Sequence, residues 1–209
     1  MAELKLYKMV LGQIQTNVYL LMNEETHEVI IVDPADEAQT IIDSVHEIEG
    51  KPVAIYLTHG HHDHMEAADA VRKEFGIPVI AHEDEQTVLN DPSLNGSGYF
   101  GPSVRLQADI TVKDNDKLDY AGFDCRVMHT PGHTWGSVCY YFPEHQLLLS
   151  GDTLFQFSYG RVDFATSNPQ DMKNSIKRIL TEIPEDVTAC PGHMGYTTIG
   201  AEKRYNPLA

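Results

Sequence analysis

Leu57 to His64 reads LTHGHHDH, placing four histidines and an aspartate in eight residues of a 209-residue chain that holds 11 histidines altogether. The run before it, VAIYLT, is apolar and β-branched and reads as a buried strand, so the cluster begins where that strand stops. In extended chain, side chains two apart point the same way. His59 and His61 therefore share a side, while Asp63 and His64 turn toward a neighbouring position. A single ion takes about four to six ligands, and any donor left over would be desolvated without a partner. The spacing suits two metal ions better than one.

Three further candidates follow predicted strands: His133 in TPGHTWGS, Asp152 in LLLSGDTLF and His193 in CPGHMG. Gly132 and Gly192 each stand between a proline and one of these histidines, a context that lets a loop turn sharply and present a ring. The set becomes His59, His61, Asp63, His64, His133, Asp152 and His193. A closed structural zinc site is normally rich in cysteine, and none of the seven is Cys. A metal-free surface patch would not recur after strand ends with aspartates interspersed. His27, His46 and His145 read as surface residues. His62 lies off the ligand pattern, and His82 and His129 are candidates for hydrogen bonding to ligands.

Composition narrows the partners. Asp and Glu total 31 against 15 Lys and Arg, a formal charge of −16, so the chain lacks the basic footprint that nucleic acid requires. No run resembles a signal peptide or a membrane span, which points to a cytoplasmic protein without a membrane partner. Cys125, Cys139 and Cys190 are an odd number without CxxC spacing and read as reduced core residues.

Residues 1–209 read as one domain without repeats or linkers. NVYLLM and EVIIVD suggest a hairpin. Ala38, Ile41, Ile42, Val45 and Ile48 recur at helical spacing, as do Ala68, Val71 and Phe75. The segment from Asn90 to about Ser103 is rich in Gly, Pro, Asn and Ser and reads as a long loop, with Tyr99 and Phe100 placed to cap a substrate. Short strands then dominate. The last predicted helix opens at Asn168 with Pro169 in its first turn, and VTACPGH forms a terminal strand. Two groups of strands, each with helices, predict two packed sheets with helices outside; propensity alone leaves their topology open.

The motifs THGHHDH, TPGHTWGS, SGDTLF and PGHMGYTTIG, in this order from Thr58 to Gly200, resemble those of the metallo-β-lactamase superfamily and, within it, glyoxalase II-like hydrolases. The resemblance implies an α/β fold, a four-layer αββα sandwich of two mixed sheets, with a dinuclear site at one edge. It assigns His59, His61 and His133 to one divalent ion, Asp63, His64 and His193 to the other, and Asp152 to both. Zinc is the first expectation for the metals, with iron or manganese as alternatives. Asp33 in IIVDP matches a structural aspartate of the superfamily. The implied reaction is hydrolysis of a small-molecule thioester such as a hydroxyacylglutathione, by hydroxide held between the ions and oriented by Asp63.

The sequence departs from full-length glyoxalase II in two places. Only 16 residues follow His193, where those enzymes carry a glutathione-gripping helical domain. A lysine and a tyrosine that contact glutathione are replaced in GRVDF, with Arg161 supplying the charge and Asp163 at the tyrosine's position; short bacterial relatives share this pattern and the TTIG ending. Arg161, Lys203 and Arg204 are the expected contacts for an acidic substrate. The alternative is a persulfide dioxygenase of the same fold, holding one iron by His59, His133 and Asp152. A superfamily nuclease would show basic clusters, a secreted β-lactamase a signal peptide, and a non-catalytic binder a lost ligand. Oligomeric state is left open.

Overall fold

The computed structural model describes residues 2–100 and 102–209, except for the side chain of Phe100. The chain begins with β1 (Leu4–Leu11), β2 (Thr16–Asn23) and β3 (Glu28–Val32), followed by α1 (Ala38–Glu47) and β4 (Lys51–Tyr56). Next come α2 (His62–Met65), α3 (Ala68–Phe75) and β5 (Val79–His82), then α4 (Gln86–Asn90), α5 (Ser97–Phe100) and β6 (Ile110–Val112). These strands form a six-stranded sheet in the order β1-β2-β3-β4-β5-β6. Its first two pairings are antiparallel and its last three parallel.

The second half supplies β7 (Lys117–Tyr120), β8 (Phe123–His129), β9 (Val138–Phe142) and β10 (Leu147–Gly151). A short hairpin of β11 (Leu154–Phe155) and β12 (Ser158–Tyr159) leads to α6 (Pro169–Glu182), β13 (Thr188–Pro191), β14 (Thr197–Thr198) and α7 (Ile199–Tyr205). The second sheet runs β14-β13-β10-β9-β8-β7, with β10 and β13 parallel and its other pairings antiparallel.

Alternation along the strands explains the layering. In β2, Leu20 and Met22 face one way and join Ile41 and Val45 of α1 and Val71 of α3 in an outer core. Tyr19 and Leu21 face the other way and meet Phe123, Val127, Tyr140 and Leu149 of the second sheet. A third core sets Met128, Leu148 and Ala189 against Met172, Ile176 and Ile179 of α6. Three cores between four layers give the αββα sandwich that the resemblance implied. A side chain such as Ile55 or Ile176, wholly buried, contributes about 1.5–3 kcal/mol relative to exposure.

Local chemistry sets the element ends. Asn168 caps α6, its side-chain oxygen accepting from the backbone N–H of Gln170 and Asp171, with Pro169 at the first helical position. Gly76 closes α3 in the left-handed region at φ +66°. Three elements depart from the sequence reading. The lysine-bearing N-terminus forms β1, whose alternating exposure suits a sheet edge. The presumed long loop contains α5 and is tied down by Asn95, which donates to the carbonyls of Leu89 and Val104 and accepts from the N–H of Ser97. Beyond His193, β14 and α7 extend the second sheet and its helical layer. Cys125, Cys139 and Cys190 are free thiols buried in the cores. Among the described residues, no helix is long and apolar enough to cross a membrane.

Candidate metal centre

The seven predicted residues converge at one edge of the sandwich, where strands of both sheets end. His59, His61, Asp63 and His64 follow β4, His133 follows β8, Asp152 follows β10 and His193 follows β13. The sheets are joined here: the N–H of Val138 donates to the Thr58 carbonyl at 2.8 Å, and the Tyr140 hydroxyl donates to the Leu57 carbonyl at 2.9 Å. The start of β2 holds the last ligand loop. Asn17 donates its side-chain amide to the carbonyls of Pro191 and Met194, and its backbone N–H to that of Gly192.

Two trios face one another. In the nitrogen trio, His61 Nδ1 lies 3.1 Å from His59 Nε2 and 2.9 Å from His133 Nε2. In the mixed trio, His193 Nε2 lies 3.3 Å from His64 Nε2 and 3.3 Å from Asp63 Oδ2. Asp152 stands between them. Its Oδ2 is 3.6 Å from His133 Nε2 and 3.5 Å from His193 Nε2, while its Oδ1 is 3.4 Å from His64 Nε2. In each trio, three ligand atoms lie within 4.8 Å of one another, as do those of His59, His64 and Asp152.

The far sides of the rings fix which nitrogen faces inward. His133 Nδ1 donates to the Arg161 carbonyl at 2.8 Å, leaving the Nε2 lone pair for the centre. Asp33 does this twice. Its Oδ2 lies 3.0 Å from His64 Nδ1 and accepts the Thr58 hydroxyl at 2.7 Å; that hydroxyl in turn faces His59 Nδ1 at 3.2 Å. His193 Nδ1 faces the Gln15 carbonyl at 3.3 Å.

The electrostatics of the trios are opposed. Burial, reinforced by neighbouring imidazoles, holds His59 well below the usual histidine range and His61 at about 3; burial also lowers His133 against the pull of Asp152. Burial acts against protonating His64 as well, but Asp152, Asp63 and Asp33 more than offset it and push that ring well above its usual value. His193 is raised in the same way, by its hydrogen bond to Asp63 and the charge of Asp152. Burial would raise both Asp63 and Asp152, but the surrounding histidines, His64 foremost, hold both below the usual carboxylate range.

This arrangement fits divalent cations. Asp152 Oδ1 is buried without a hydrogen-bond partner, which is costly unless a cation satisfies it. Gly192 clears the space beside it, since a Cβ there would lie 2.3 Å from Asp152 Oδ1 and 2.5 Å from His64 Cε1. The closeness of this approach accounts for the glycine. The donors are imidazole nitrogens and carboxylate oxygens, a set suited to zinc, iron or manganese. Another trio, His82, Asp84 and His129, also brings its ligand atoms within 4.8 Å. There the two rings stack at 4.0 Å and 13°, so their in-plane lone pairs run parallel rather than converging, and His129 Nε2 donates to the Trp135 carbonyl.

Two of the three predicted substrate cations form ion pairs at the surface. Arg161 is held by Asp163 through two hydrogen bonds of 2.9 and 2.8 Å, and it lies 4.5 Å from the Phe164 ring centroid. Phe164 itself packs on His61 and His133, at 5.0 and 5.6 Å between centroids. Lys203 lies 3.4 Å from Glu185, and Arg204 is exposed on α7. Tyr99 is exposed, and the Phe100 side chain lies outside the described residues. A cavity of about 190 Å³ adjoins Asp63, lined by Ile14, Thr16, Asp36, Glu66, Ser97 and Pro102 among others. Thr16, whose hydroxyl donates to Asp63 Oδ2 at 3.2 Å, and Asn17 carry no sequence signal, because both act through long-range contacts.

Comparisons with known proteins agree with the geometry. A family profile described as the metallo-β-lactamase superfamily matches residues 11–193. The chain is 37% identical to the probable metallo-hydrolase YqgX of Bacillus subtilis, covering 98% of this chain and 97% of that one. It is 32% identical to the hydroxyacylglutathione hydrolase GloC of Haemophilus influenzae, covering 93% and 92%. Among solved structures, the BLEG-1 B3 metallo-β-lactamase superposes with a TM-score of 0.92 at 40% identity, covering 98% of this chain and 99% of that one. TTHA1623 in a di-iron-bound form superposes at 0.87 with 31% identity, covering 97% and 100%. With the fold, the gathered histidines and aspartates and the profile in agreement, the chain belongs to the metallo-β-lactamase superfamily.

Proposed function

We propose that this metallo-hydrolase cleaves small-molecule thioesters, of which hydroxyacylglutathione is the type, at a centre of two divalent ions. The observation that carries the reading is the placement of Asp152, with one oxygen within 3.6 Å of a ligand nitrogen from each trio. His59, His61 and His133 would hold one ion, Asp63, His64 and His193 the other, and Asp152 both. Bound there, the ions supply an activated water at neutral pH and polarise the carbonyl under attack.

The chain's own residues do the rest. Asp63, kept ionised by His64 and His193, is an acceptor fixed in orientation by the Thr16 hydroxyl, and it serves to align the attacking water. The Phe164 ring covers His61 and His133 and limits the approach of bulk solvent to them. The cavity beside Asp63 takes one end of the substrate. Its wall carries Asp36, Asp63 and Glu66, so that end is an ammonium or an uncharged group rather than a carboxylate. GloC supports the thioester class by its name, and the di-iron form of TTHA1623 supports a two-ion centre and keeps iron beside zinc as its metal.

The test loads the purified chain with zinc, iron or manganese and supplies S-lactoylglutathione, glutathione persulfide or a chromogenic cephalosporin. Thiol release from the thioester without oxygen uptake is expected. Oxygen uptake with the persulfide by the iron-loaded protein would replace the hydrolase with a mononuclear dioxygenase. Cleavage of the cephalosporin alone would replace the thioester with a lactam amide. A chain holding both ions and cleaving no thioester overturns the proposal.

A further inference from the structure

Glu85 is fully buried at the end of the turn that follows β5, yet among the described residues no Lys, Arg or His pairs with it. Its carboxyl group instead joins two separate loops. Oε1 accepts the N–H of Gly60 at 2.7 Å, and Gly60 stands between His59 and His61. Oε2 accepts the Thr134 hydroxyl at 3.0 Å and the N–H of Gly136 at 2.8 Å, and Thr134 directly follows His133. The approach needs a residue without a side chain at 136, where a Cβ would lie 2.6 Å from both the backbone nitrogen and Oε2 of Glu85. Neighbouring contacts tie the same turn to the same loop: His82 stacks on His129, which donates to the Trp135 carbonyl.

We propose that Glu85 is the positioning residue of the nitrogen trio, setting the separation of the loop bearing His59 and His61 from the loop bearing His133, and thereby that trio's affinity for its ion. All three of its donors need an acceptor, and only a carboxylate offers one on both oxygens; an amide would turn an NH₂ toward one loop. The mixed trio is braced by other groups: Asp33 behind His64, the Gln15 carbonyl behind His193 and the Thr16 hydroxyl on Asp63. The effect of Glu85 is therefore confined to one half of the centre. The inference rests on the two-ion reading but not on the thioester substrate.

The experiment titrates zinc into the metal-free full chain against a chromophoric chelator, yielding two stepwise dissociation constants. His133→Ala identifies the step that belongs to the nitrogen trio. Glu85→Gln is expected to weaken that step by about 10–100-fold, the range for loss of a group supporting a metal ligand, and to leave the other unchanged. Thr134→Val should weaken the same step by less and add little to Glu85→Gln. If both constants of Glu85→Gln match the wild type, or both fall together, the proposal is overturned. Should Glu85→Gln not fold, Thr134→Val decides, and an undisturbed His133-dependent step in that variant overturns the proposal. A wild type that binds one ion in all refutes the two-ion reading, and the effect of Glu85 on the His133-dependent step is read independently.

Discussion

The nitrogen trio and the mixed trio lie at one sheet edge, share Asp152 and are buried alike, yet the net shifts of their histidines are opposite. Around His59, His61 and His133, burial is compounded by like neighbours, so the rings are neutral and their lone pairs free before any ion arrives. Around His64 and His193, carboxylates outweigh burial, so a proton takes the place of a cation until one binds. The contrast shows that proximity does not decide charge state; the balance of imidazole to carboxylate does. One half is ready to bind, whereas the other must release protons as it fills.

The largest test of this division removes what the halves share. Asp152→Ala should leave at most one tightly held ion and lower kcat/KM by about a thousandfold or more, as losing a principal electrostatic element of a site does; elemental analysis and steady-state kinetics check both. Two ions retained at wild-type affinity would show that the halves are independent. Asp63→Asn should cost about 10²–10³ in kcat, because an amide neither matches the charge of the mixed trio nor aligns the nucleophile in the same way. Its His133-dependent zinc constant should stay unchanged.

Asp33→Asn separates the halves from their common support. Asp33 reaches His64 directly and His59 through Thr58, so zinc affinity should fall at both steps by about 10-fold, near the lower end for such support groups. A change confined to one step would place Asp33 with that trio alone.

The smallest effect is on the metal-free chain, where the halves respond to acid with opposite sign. The folded pKa of His61 is about 3, below its unfolded value, so the folded state binds fewer protons and stability is lost as pH falls from about 6.5 toward 3. His64 is raised, so its stabilisation is present below about 6.5 and is lost as pH rises through its folded value. Melting temperatures across pH should show His61→Asn flattening the acid limb and His64→Asn the alkaline limb, by about 2–4 °C for each kcal/mol involved.

Much of this centre was legible in the sequence, because its ligands sit in short motifs directly after apolar strands. His59, His61, Asp63 and His64 are close in the chain, and His133 and His193 follow Pro-Gly pairs, so local spacing carried them. The α6 start was legible for the same reason, since Asn168 and Pro169 act within one turn. What escaped acts across long intervals. Glu85 meets residue 60 on one side and residues 134 and 136 on the other, and nothing in HEDE distinguishes it from its solvated acidic neighbours. The backbone carbonyl of Arg161 orients His133, 28 residues away, a contact that no side-chain reading of the sequence reveals. The edge strand β1 was missed because its lysines alternate with residues that are only partly covered.

The three core cysteines bear on the proposed thioester chemistry. Burial pushes the Cys139 thiol up to about 11 and Cys190 up to about 12, and lifts Cys125 well beyond the ordinary range. At neutral pH none offers a thiolate to exchange with a disulfide or to take up an acyl group. For the thioester class proposed above, none of the three cysteines is therefore a competing nucleophile at neutral pH.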